Sequence, residues 1–171
     1  MYLDAALNFS TAQAITATAA SAGVIDLAGL GSGNTMTNIF GNAAVFGMDI
    51  GVGDVMGHPK LEVAINTTFL TLTSLNIQFQ GAPDNGSGSP GTYVTYAESG
   101  VILAATLVAG AVVFKIDVPE VQPETGPLPR FLRLNYVVAG SNATQGAITA
   151  NIIRDRQDWT AGRYPNNYAV A

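Results

Sequence analysis

The sequence predicts an all-β protein, an antiparallel β-sandwich or jelly roll of about eight strands with extended N- and C-terminal arms. Three observations predict it. Apolar residues recur at every second position in run after run, the period of a strand with one wet face. Between the runs stand clusters of Gly, Pro, Asn and Asp that punctuate turns, and no stretch carries the period and caps of a long helix.

The elements follow in order. "AQAITATAAS" (12–21) is rich in alanine, but threonine and isoleucine alternate with it and helix caps are absent, so it reads as a strand. "GVIDLAG" (23–29) reads as the next. Leu61, Val63 and Ile65 then alternate with Glu62, Ala64 and Asn66, and Leu75, Ile77 and Phe79 with Asn76, Gln78 and Gln80. Phe114, Ile116 and Val118 oppose Lys115 and Asp117, while Leu132, Leu134, Tyr136 and Val138 oppose Arg133 and Asn135. Ile148, Ala150 and Ile152 alternate with Thr149, Asn151 and Ile153.

Of the connections, Gly81 to Gly91 reads as a flexible tip, Pro119 to Pro129 as a proline-stiffened loop, and Ala139 to Gly146 as a hairpin turn. Met36 to Gly47 suits a helical turn or a loop excursion. The organisation expected is an arm over 1–9, a sandwich over 10–154 and a second arm over 155–171.

The chain has 171 residues, no cysteine and a formal net charge of −5. That length suits one domain, able to bury roughly 70% of its unfolded surface. Without cysteine there is no disulfide and no thiolate metal site. Seven basic residues against twelve acidic ones argue against nucleic acid as the partner. Only 11% of residues are charged, against about 25% in ordinary soluble domains, so either much of the surface is polar but uncharged or part of it is buried against other chains. No apolar run is long enough for a membrane helix, and the N-terminus lacks the pattern of a secretory signal.

The glycines of Gly51-Val52-Gly53-Asp54-Val55-Met56-Gly57 invite comparison with a phosphate cradle, but the last is one residue too far for G-x-G-x-x-G. His58-Pro59 and a strand follow where a helix would have to open. The solitary His58 cannot build a histidine metal site, and no Ser-His-Asp set stands out. Asp84 with the Asn-Gly-Ser-Gly after it lacks the repeated acids of a calcium loop. The expectation is a protein that is not an enzyme, with no cofactor, no metal and no small-molecule ligand.

The arms carry the chemistry of contact instead. The last 18 residues hold the one tryptophan, two tyrosines and three of the seven basic residues. Trp, Tyr and Arg dominate interface energetics, so the contact candidates are Arg156, Trp159, Arg163, Tyr164 and Tyr168, with Tyr2 and Leu3 at the other end.

The opening "MYLDAALNFSTAQAIT", the strand "GVIDLAG", the turn "DIGVGD" and the tail "RFLRLNYVVAGSNATQGAITANIIRDRQDW" resemble the capsid cement, or decoration, protein family of tailed bacteriophages. The excursion Gly29 to Met48 is longer than that family's pattern. The resemblance implies a jelly roll on the outer surface of the virion's capsid, clamping neighbouring copies of the major capsid protein as a homo-oligomer, dimer or trimer. The alternative class is a carbohydrate- or receptor-binding β-sandwich of a phage fibre or tail, which would want exposed aromatics at loop tips or on a sheet face.

Overall fold

The computed structural model describes residues 5–27, 50, 58–119 and 129–153. A 3-10 turn (Ala5–Leu7) leads into β1 (Asn8–Ala14), followed by β2 (Ala19–Ala20), β3 (Ile25–Asp26) and β4 (Lys60–Ala82). Then come β5 (Val94–Glu98), β6 (Ile102–Leu103), a 3-10 turn (Ala104–Thr106), β7 (Val112–Asp117) and β8 (Phe131–Ile153). Every pairing is antiparallel.

β4 and β8 each run for 23 residues and pair along their whole length, from Lys60 opposite Ile153 to Ala82 opposite Phe131. Fully extended, such a strand would span about 75 Å, whereas a folded chain of this length is roughly 40 Å across. The ribbon therefore has to bend, and it does so over residues 66–74 and 139–147. There the register slips at four successive points and then returns to its original value. Such irregularities are how a strand turns the corner from one layer to another.

The short strands flank the two halves of the ribbon. Residues 8–14, 148–153, 60–65 and 112–117 form one layer in that order, and residues 19–26, 131–139, 74–82 and 94–103 the other. Taken as eight segments, this is the double Greek-key order of a jelly roll.

The core lies between the layers. Phe9 of β1 meets Phe79 of β4 edge to face, with ring centroids 6.2 Å apart, and both are fully buried. The Tyr136 hydroxyl and Ser10 Oγ share a hydrogen bond of 2.8 Å across the same gap. Burial pushes the Tyr136 phenol up from its ordinary pKa. Leu61, Val63, Leu75, Ile77, Leu134, Ile148 and Ala150, all inward positions of the alternating runs, are fully buried.

Four sequence readings need correction. Ala139 to Gly146 is not a hairpin but the middle of β8, and the runs at 61–65 and 75–79 belong to one strand. The reason is that Gly and Asn serve bulges as readily as turns. Gly140 has φ +81°, and a Cβ there would stand 2.8 Å from Thr73 Cβ. The stretch 12–21 is likewise not one strand, because it breaks at residues 15–18 to pass from β1 to β2. The sandwich also takes in Asn8 and Phe9, the last two residues of the stretch 1–9. The excursion Gly29 to Met48, the glycines 51, 53 and 57, and residues 120–128 of the proline-rich loop lie outside the described residues.

Candidate interaction surfaces

The two ends of the sandwich differ. At one end β1 begins and β8 finishes, and their side chains meet: Asn8 Nδ2 donates to Asn151 Oδ1 at 2.5 Å. The chain therefore enters β1 and leaves β8 at the same end. The seven contact candidates (Tyr2, Leu3, Arg156, Trp159, Arg163, Tyr164, Tyr168) lie outside the described residues.

That end is also where ion pairs gather. Arg130, at the entry to β8, presents its guanidinium fork to Asp26 of β3, with Nε to Oδ1 and Nη2 to Oδ2 both at 2.8 Å. Its Nη1 donates to Asp84 Oδ2. One arginine so ties the exit of β3, the β4–β5 connection and the entry to β8. A bidentate geometry of this kind is what arginine offers and lysine does not. The pairing with Asp26, above all, holds Arg130 charged well beyond the usual range. Across the other layer, Lys60 Nζ donates to Asp117 Oδ1 at 2.6 Å, and Glu62 stands opposite Lys115 in the register.

Asp84 ties its Gly-rich tip together with internal hydrogen bonds. Its Oδ1 accepts the N–H groups of Gly86 at 2.7 Å and Gly88 at 3.0 Å, while Asp84 bridges Pro90 across the loop. With Arg130 on the other oxygen, the carboxylate is already satisfied by donors and a cation. Among the described residues no group of His, Cys, Asp and Glu has metal-site geometry.

The Gly88 and Gly86 N–H groups, with Arg130 beside them, hold the Asp84 carboxyl below the ordinary carboxylate range, and Lys60 does the same for Asp117. Folded pKa values depressed in this way mean that the native state releases these protons more readily than the unfolded chain. Their stabilisation is complete above the unfolded carboxylate pKa, ~3.9, and is lost as pH falls through the lower folded values. The urea midpoint is therefore expected to fall on acidification from pH 5 to pH 2. Asp84→Asn is expected to shrink that fall, and an identical fall in the variant would remove Asp84 as a contributor.

The outer face of the second layer is a ladder of amides. Gln78 Oε1 accepts from Asn135 Nδ2 at 2.9 Å and from Gln80 Nε2 at 3.2 Å. Arg133 Nε donates to Gln80 Oε1 at 2.9 Å, and its guanidinium lies 3.6 Å above the Tyr93 ring centroid. A sugar would stack on an open aromatic face, but Arg133 covers one face of Tyr93. The carbohydrate-binding alternative gains no support from this sheet.

The opposite end has no ion pairs at all among its connections, and its residues are knit together by backbone hydrogen bonds. Ala143 N–H donates to Thr16 O at 2.8 Å, Phe69 N–H to Leu107 O at 3.0 Å and Gly110 N–H to Ile65 O at 2.8 Å. Sequence reasoning missed this end, since the uncharged stretches that form it are far apart in the chain.

No helix among the described residues is long and apolar enough to cross a membrane. No curated protein matches the chain. The family model described as Bbp16 matches residues 9–152, from the first core phenylalanine to the penultimate residue of β8, and the chain belongs to the Bbp16 family.

Proposed function

We propose that the protein is a structural, non-enzymatic component of a bacteriophage virion. In this reading it is a cement protein that binds the outside of the head, bridges neighbouring major capsid proteins and associates with copies of itself. The observation that carries the reading is that both chain ends leave a hydrogen-bonded sandwich side by side, at Asn8 and Asn151. A pre-formed block loses little conformational entropy on docking, and arms rooted together reach in concert for partners on one side. Membership of the Bbp16 family and the jelly-roll order, one that viral capsid domains share, support the same reading. Trp159, Tyr164 and Tyr168 would supply apolar area in the contact, with Arg156 and Arg163 as charged anchors.

The test uses heads stripped of this protein. Adding the full chain back is expected to saturate the shell at a fixed stoichiometry and raise its temperature of disruption. A chain ending at residue 153 is expected to lose most of that binding while keeping its own unfolding midpoint. Heads that neither bind the protein nor gain heat resistance would overturn the reading.

A further inference from the structure

The end of the sandwich away from the arms is built from four connections, residues 15–18, 66–74, 104–111 and 139–147. None contains Asp, Glu, Lys, Arg or His, although the chain carries 12 acidic and 7 basic residues. Threonine, asparagine, serine and small apolar residues take their place, and more than half of the positions are exposed. Leu70 and Val108 are 48% and 46% exposed there, with Leu103 at 60% in the adjoining β6.

The surface is also fixed in shape. Besides the backbone bonds already described, Thr68 Oγ1 accepts the Ala109 N–H at 3.0 Å and Thr71 Oγ1 accepts the Thr144 N–H at 3.0 Å. Thr71 stands at φ +75°, a left-handed conformation that is a true outlier for a β-branched side chain. Its hydroxyl donates to Asn142 O at 2.7 Å and so holds that conformation in place. This left-handed position adjoins the outward Leu70.

We propose that this end is the contact between copies, two sandwiches meeting end to end about a two-fold axis. The occupant follows from charge. In a two-fold contact a patch faces itself, so any net charge near the axis meets its like. A chain at −5 avoids that repulsion where the patch holds no charge. Counted without their buried positions, the four connections still fall within the size of a stable interface, about 20–30 residues a side. The pair would carry its arms at its two far extremes, the geometry needed to bridge separate partners. This contact deepens the self-association proposed above and rests on it. Its test needs no capsid, so its failure would leave binding to the head untouched.

The experiment is the solution mass of the full chain at tens of micromolar, with and without 1 M NaCl. A dimer that persists in high salt is expected, because no ion pair holds it. Leu70→Asp and Val108→Asp are each expected to give monomers with unchanged circular dichroism, while Val94→Asp, exposed at the other end, stays dimeric. Since the chain has no cysteine, Val108→Cys also offers one thiol per copy. Its oxidation should produce a covalent dimer at concentrations where Val94→Cys does not, and this readout keeps the proposal testable if either aspartate variant fails to fold. A monomeric or trimeric wild type, a dimer that survives both aspartates, or cross-linking by Val94→Cys instead would overturn it.

Discussion

Replacing Phe79 with alanine is expected to lower the stability of the folded chain by about 3–5 kcal/mol, the range for a buried phenylalanine. Phe79 is fully buried and stands edge to face with Phe9, its partner from the opposite layer. The loss combines the transfer energy of the ring with the cavity left between two layers that cannot collapse onto it. At roughly 2–4 °C per kcal/mol for a chain of this size, the melting temperature should drop by on the order of 10 °C. Phe9→Ala should cost a similar amount, and the double variant less than the two single losses together. A loss below about 1 kcal/mol for Phe79→Ala would mean that the two layers do not share a core at this point.

The second large effect is expected at Gly146, in the corner of β8. A Cβ there would overlap the Phe69 ring, reaching 2.6 Å from Cγ, and the backbone carries a φ of +154°. Phe69 is itself buried, and its N–H is committed to Leu107 O, so the ring has little room to withdraw. Gly146→Ala should therefore cost about 3 kcal/mol through overpacking alone. Gly86→Ala, also at positive φ but facing open space, should cost only about 1–2 kcal/mol. Removing the obstructing ring provides the check. Phe69→Ala with Gly146→Ala should be less destabilised than the sum of the single variants by at least about 1 kcal/mol. Strict additivity, measured by urea denaturation, would show that the glycine is needed for another reason.

Much of the architecture was legible in the sequence because a strand in a sandwich writes its inward face as a period of two. Leu61, Val63 and Ile65, or Leu132, Leu134 and Tyr136, announce their strands without any partner in view. The corner was not legible. Residues 139–147 contain the glycines and asparagine of a turn, and only the facing residues 66–74 show that the chain continues as a bulged strand. The candidate contact surfaces divide in the same way. The arm residues from Tyr2 to Tyr168 stand out by residue type alone, whereas the charge-free end exists only after the topology gathers four separate uncharged stretches. Asp84 is an intermediate case: its Asx-type turn could be read from Asp-Asn-Gly-Ser-Gly, but Arg130, 46 positions away, could not.

The uninterrupted strands have a consequence for the order in which the protein can be completed on the ribosome. β4 is finished at Ala82, yet its long edge has no partner until β8 emerges, and at ~5–20 residues per second that wait lasts several seconds. Phe131, the first residue of β8 to appear, pairs with Ala82, and Ile153, the last, with Lys60. The layer nearest the middle of the chain can thus close while the other is still open. β1, the first strand made, waits longest, because its partners Ala147 to Asn151 are among the last residues of the sheet to be synthesised.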